Sequence, residues 1–222
     1  MSRLTIVSKT ANSPCAYKAT YNEGKLVENS IKPCASANKG TQILVEDLFY
    51  NSSIRRNALR NSTDEFYKIH EVVSRYAIHN YHVSFFLKRL GENRTDLKTN
   101  GCQQQTNKNR CEENESILLD NIALVYGNDL RKELERVAID SDEMYKFKMN
   151  GYMSNSKYTQ LRQMIFVLFI NERLVDCQPL KKAIASVYSL YLPKNTNYFV
   201  YLNLQINPKN LDVNIHPTKH EV

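Results

Sequence analysis

Apolar and polar positions alternate most clearly over residues 41–46, where Thr41, Ile43 and Val45 oppose Gln42, Leu44 and Glu46. That is the period of a sheet. The alternation ends at Asn51-Ser52-Ser53, whose short polar side chains bond their own backbone and favour a turn or helix start. A basic segment, Arg55-Arg56-Asn57-Ala58-Leu59, follows. Read from the residues alone, the stretch is either a strand entering a helix of an ordinary α/β layer or a place to hold a phosphate or a partner's acid. Upstream, residues 4–8 and 16–21 read as short strands, residues 21–25 as a turn and Leu26-Val27 as a return. Residues 30–39 contain Pro33 and no periodicity and read as a loop.

Ser62-Thr63-Asp64-Glu65 has the form of a capping box and predicts a helix to about Asn80. Its apolar stripe is Phe66, Ile69, Val72, Val73, Tyr76 and Ala77. Residues 82–89 return to period two, with Val83, Phe85 and Leu87 on one face. Residues 91–116 are rich in Asn, Gln, Lys and Glu and are expected as a flexible linker or disordered loop. Asp120 and Asn128 can cap two short helices ending near Tyr126 and Val137. Strands are expected over residues 146–154, with Asn150-Gly151 a bulge or turn, and over residues 164–170, which run into a hairpin turn at Asn171-Glu172-Arg173. A helix after Pro179 carries Leu180, Ile184, Val187 and Tyr188 on one side and stops at Pro193; a strand covers residues 198–206, and Val213 and Ile215 flank a last short one. The class is α+β, divided into residues 1–90, a linker over 91–116, and residues 117–222.

Composition narrows the partners. The chain has 222 residues and a formal charge of +7, which favours a polyanionic partner. No apolar signal core opens the sequence and no run reaches the length of a membrane span, so no membrane partner is expected. The five cysteines are scattered, without a Cys-x-x-Cys pair, as in a reducing compartment. His216 and His220 have the i, i+4 spacing of metal ligands, but Pro217 stands between them and no third ligand is near, so no metal site is assigned. His70, His79 and His82 form no recognisable ligand set.

Four stretches, in order, carry a resemblance: residues 40–59, Phe169-Ile170-Asn171-Glu172-Arg173-Leu174-Val175, Tyr191-Leu192-Pro193-Lys194-Asn195-Thr196, and the closing Asp212-Val213-Asn214-Ile215-His216-Pro217-Thr218-Lys219-His220-Glu221-Val222. Together they resemble the MutL family of DNA mismatch repair proteins, members of the GHKL ATPases, and residues 45–51 look most like the eukaryotic MutL homologue one branch. The resemblance covers nearly the whole chain except an insertion near residues 97–114. It implies the C-terminal part of a GHKL (Bergerat) α/β sandwich, followed by a ribosomal-protein-like transducer domain with a left-handed strand-helix-strand crossover.

The same resemblance implies roles for single residues. Gly40 and Thr41 would lie by the adenine pocket, and Lys219 would reach from the second domain to the ATP γ-phosphate. Lys181 and Lys182 would lie in a positively charged groove that meets double-stranded DNA through its phosphates, without sequence readout; a lysine pair read by itself is equally a solvated surface. Gln178 stands near a position where some relatives carry arginine. The implied function is mismatch repair by ATP-driven dimerisation, with a second MutL homologue and a MutS-type recognition complex as partners, in the nucleus. ATP and Mg would be the full-length protein's cofactors. The family's general-base glutamate, its magnesium-binding asparagine, Asp-x-Gly-x-Gly and the glycine-rich lid all precede the Gly-Thr strand, and none is found here. The chain is therefore expected as a piece without the front of the domain, holding no catalytic residue, binding no cofactor and hydrolysing no ATP by itself. A non-enzymatic basic DNA-binding or assembly module is the alternative; a topoisomerase-type GHKL fragment is disfavoured by residues 216–222.

Overall fold

The computed structural model describes residues 2–35, 39–59, 61–101, 110–139 and 147–210. Two compact units divide between Tyr67 and Lys68. In the first, strands β1 (Arg3–Lys9), β2 (Ala16–Asn22), β3 (Lys25–Leu26), β4 (Lys32–Cys34) and β5 (Gly40–Glu46) form an antiparallel sheet ordered β3-β2-β1-β5, with β4 also on β2. The registers Ile6↔Ala19 and Ile6↔Ile43 put Leu4, Ile6, Tyr17, Tyr21, Ile43 and Val45 on one face, which carries no charged strand residue. Arg3, Thr5, Lys18, Thr20, Gln42 and Glu46 alternate onto the other. The expected alternation of Thr41, Ile43 and Val45 against Gln42, Leu44 and Glu46 is therefore observed. The helix α1 (Ser53–Ala58) follows, and α2 (Ser62–His79) begins in this unit and continues into the second.

The second unit holds β6 (Phe86–Lys88) paired with β7 (Thr95–Lys98), then α3 (Arg110–Tyr126), α4 (Asn128–Lys132), β8 (Leu134–Ile139), β9 (Phe147–Ser154), β10 (Ile165–Ile170), β11 (Arg173–Leu174), α5 (Gln178–Tyr191) and β12 (Phe199–Ile206). Its main sheet is ordered β11-β10-β12-β9-β8. β10 and β12 are parallel, and the chain passes from one to the other by way of the short antiparallel strand β11 and then α5, the long crossover that parallel neighbours require. Every residue of β10 is buried, which explains the unbroken apolar run there. One sheet face packs Val167, Phe169, Phe199 and Tyr201 with Ile78 of α2 and Leu118 and Ile122 of α3. The other packs Leu168, Ile170, Val200 and Leu202 under Tyr188, Leu180 and Ile184 of α5.

Several expectations change. The N-cap of α2 is Asn61, not Ser62: the Asn61 Oδ1 accepts the Thr63 N–H at 3.1 Å, and its amide donates to Asp64. Of the expected stripe, Ala77 is buried and Phe66, Val73 and Tyr76 are half-buried, but Ile69 and Val72 are 51% and 42% exposed; Ser74, Ile78 and His79 are buried beside Ala77, because the contacts fall on the helix's C-terminal half. The segment 91–116 is not without structure. It contains β7, where Leu97 is buried, and the start of α3, whose polar first half shows no apolar stripe for a periodicity reading to find. The helix expected toward Val137 stops at Lys132, and Val137 lies in β8, where pairing with β9 overrides local propensity. The loop at 30–39 includes β4, with Pro33 on a strand paired, among the described residues, only to β2. Residues 213–215 lie outside the described residues.

β5 is the outer strand of its sheet among the described residues, and Ile43, Leu44 and Val45 are 62%, 47% and 51% exposed. β12 has a partner on each side and buried residues on both faces. Hydrogen exchange is expected to leave the β5 amides among the least protected strand amides and those of β10 and β12 among the most. Equal protection of β5 and β12 would contradict the exposure.

Candidate functional site

Gly40 opens β5 at φ 136°, a conformation that L side chains rarely adopt, and a Cβ there would meet nothing within 4 Å. Backbone freedom, not space, asks for glycine. Thr41 follows on the uncharged sheet face, its Oγ1 2.9 Å from the Ser8 Oγ across the β1–β5 pair. Two hydroxyls thus stand together at one end of an apolar surface, able both to donate and to accept. Sequence reading named Gly40 and Thr41 but not Ser8, because the pairing joins positions 33 residues apart.

After β5 the backbone turns through Asp47 and Phe49, both at positive φ (52° and 61°). Arg3 holds Asp47 at 3.2 Å, and the Arg55 guanidinium lies 5.7 Å from the Phe49 ring centre. The basic segment is α1, a short helix with Arg55 and Arg56 in its last turn and no side-chain cap on its first.

Lys181 and Lys182 lie in the first turn and a half of α5, behind Pro179. That helix start has no side-chain cap and no acidic residue in its first turn, so within that turn its open N–H groups and the two ammonium groups act with one sign. Lys182 is exposed and Lys181 half-buried. Gln178 is turned to the Asp176 carboxylate, 3.0 Å away. Gly40 and Thr41 belong to the first unit, and Lys181 and Lys182 to the second. Lys219, His216 and His220 lie outside the described residues.

The second unit also contains a polar cluster that sequence reading missed. His79, at the end of α2, is 6% exposed and stacks on Phe169 with ring centres 3.7 Å apart. Its Nε2 is 2.8 Å from a Glu172 carboxylate oxygen and its Nδ1 3.1 Å from the Tyr201 hydroxyl. A carboxylate only accepts, so the neutral ring donates from Nε2 and receives the Tyr201 O–H on Nδ1. Burial lowers the His79 pKa below 6.5, against the opposing pull of Glu172, and burial raises that of Tyr201. Glu172 can reach because Asn171 and Glu172 turn at positive φ (47° and 68°), with the Asn171 amide bonded both ways to the Ile206 backbone. The cluster borders a cavity of about 180 Å³, which Arg136, Glu115 and Asn203 also line. The signal was hidden because the partners lie 93 and 122 residues from His79. Among the described residues, no group of three His, Cys, Asp or Glu could hold a metal.

Residues 122–222 match the family model described as DNA mismatch repair protein, C-terminal domain. The chain is 41% identical to the DNA mismatch repair protein Mlh1 of Dictyostelium discoideum and 37% identical to MLH1 of Saccharomyces cerevisiae, in each case over all of this chain and 27% of the relative. It therefore spans about a quarter of the length of these relatives. Among solved structures it is similar to the N-terminal domain of a DNA repair protein, with a TM-score of 0.77 at 26% identity, covering 99% of this chain and 65% of that one. The Aquifex aeolicus MutL ATPase domain complexed with ADP superposes with a TM-score of 0.64 at 19% identity over 93% of this chain and 68% of that one, which shows a shared fold of the GHKL type. With four motifs in order and this agreement along its whole length, the chain belongs to the MutL family of DNA mismatch repair proteins.

Proposed function

We propose that the chain is part of a MutL-type mismatch repair factor that couples ATP-driven dimerisation of its N-terminal regions to DNA. In this reading Gly40 and Thr41 stand beside the adenine of ATP, Lys219 meets the γ-phosphate, and magnesium completes the cofactor set in the full-length protein. The partners are a second MutL homologue and a MutS-type complex, and the compartment is the nucleus. Residues 1–90 and 117–222 carry the nucleotide-domain and transducer parts. Support for the nucleotide role comes from the Ser8–Thr41 hydroxyl pair and from the likeness to an ADP-bound relative. By itself the chain should not bind ATP; calorimetry with a non-hydrolysable analogue measures this, and micromolar binding would overturn it.

The observation that carries the DNA role is the uncapped start of α5 with its two lysines. They would meet phosphates and read no base. Filter binding over a salt series should show affinity falling steeply as salt rises. The double variant Lys181→Glu/Lys182→Glu should bind about tenfold or more weakly, with a log–log salt slope smaller by roughly 1.8, about 0.9 for each phosphate no longer neutralised. Affinity flat with salt, or unchanged in the variant, would remove the assignment.

A further inference from the structure

The charged face of the first unit's sheet is not a random scatter of polar residues. Lys18 of β2 and Lys32 of β4 are direct cross-strand partners. By parity of the registers, Lys9 of β1 and Lys25 of β3 share their face, with Arg3 at its far end. The single carboxylate among the strand residues on this side is Glu46, opposite Arg3. Arg3 also pairs with Asp47, so its charge is already answered. Lys18, Lys25 and Lys32 are all exposed, and among the described residues neither Lys18 nor Lys32 makes an ion pair.

Side chains directly opposite in an antiparallel pair stand about 5 Å apart at Cβ, and like charges there are destabilising. A fold that needed only a soluble sheet could use one sign of each. Lysine on an edge strand can also protect against unwanted pairing, which would account for Lys25 and Lys32 but not for Lys18, because β2 is an inner strand flanked by β1. The cost of the Lys18–Lys32 pair is removed when an anion lies over it. Neighbouring strands run about 4.8 Å apart, so the lysines of β1, β2, β3 and β4 form a flat array, not a pocket. A flat array suits an extended chain of phosphates and not a single small anion, and Thr5, Thr20 and Gln42 on the same face add hydroxyl and amide donors.

We propose that this face, centred on Lys18 and Lys32, is a docking surface for the phosphate backbone of double-stranded DNA, separate from the lysines of α5. The proposal rests on the DNA role given above and adds a second surface in the other unit. Contacts there read no sequence and weaken with salt.

The test uses the whole chain, a labelled duplex and a salt series, with Lys18→Glu/Lys32→Glu compared against Lys181→Glu/Lys182→Glu. The sheet variant should bind about tenfold or more weakly, with a log–log salt slope smaller by roughly 1.8. Lys32→Glu alone separates docking from folding. It puts opposite charges across the pair and keeps the edge charged, so it should melt no lower than wild type while binding DNA less well. Wild-type affinity and slope in the sheet variant, alongside weakened binding in the α5 variant, would overturn the proposal and leave the DNA role standing. If wild type binds no duplex at any salt, both fall. If Lys32→Glu loses affinity only together with a lower melting temperature, Lys32 is a structural residue and the proposal is wrong.

Discussion

Gly151→Ala should collapse the second unit's sheet. Gly151 sits in β9 opposite Leu202 of the central strand β12. A Cβ built there would lie 2.0 Å from the Tyr201 carbonyl oxygen and 3.0 Å from the Leu202 Cα, both backbone atoms. A flexible side chain could swing away, but a paired strand flanked on both sides cannot. Accepting the methyl means opening the β9–β12 ladder between the two apolar layers. The expected cost is about 3 kcal/mol or more, beyond the usual range for a single methyl, and a melting temperature lower by roughly 6–12 °C. Chemical denaturation followed by far-UV circular dichroism measures it. A destabilisation below about 1 kcal/mol would show that the strands can part without penalty.

The second large effect belongs to His79. Its removal in His79→Ala leaves the buried Tyr201 hydroxyl without its acceptor, takes away the ring stacked on Phe169, and empties space beside the cavity. Together these should cost on the order of 2–4 kcal/mol. The ring also makes stability depend on pH. Burial lowers its folded pKa beneath 6.5, so the unfolded chain takes up the proton first. The contribution is complete above pH 6.5 and is lost as pH falls toward the folded value, at no more than about 1.4 kcal/mol per pH unit. His79→Gln, which cannot titrate, should lose that part of the slope below pH 6.5. The same slope in wild type and variant would mean that other groups carry it.

Local signals in the sequence sufficed wherever an element's neighbours impose a simple period. The two-residue alternation at 41–46 becomes a sheet with one uncharged face, and the unbroken apolar run at 164–170 becomes β10, buried throughout. The helix after Pro179 and the turn at Asn171 also stand where the residues indicate, because proline and small polar residues restrict their own backbone. Gly40, Thr41, Lys181 and Lys182 stand out as candidates through motif wording, which is a resemblance and not a deduction from spacing.

Tertiary structure decided what depends on residues far apart in the chain. The start of α3 and the strand β7 were invisible because polar composition reads as a loop until Leu118, Ile122 and Leu97 find apolar surfaces to cover. β8 became a strand because β9 offered a ladder. His79, unremarkable among three scattered histidines, became a buried hydrogen-bonded ring only when folding brought Glu172 and Tyr201 to its two nitrogens. The pairing of Lys18 with Lys32 is of the same kind. Charge is written in the sequence, but which charges face one another is set by strand register, and register is set by which face of every strand the fold buries.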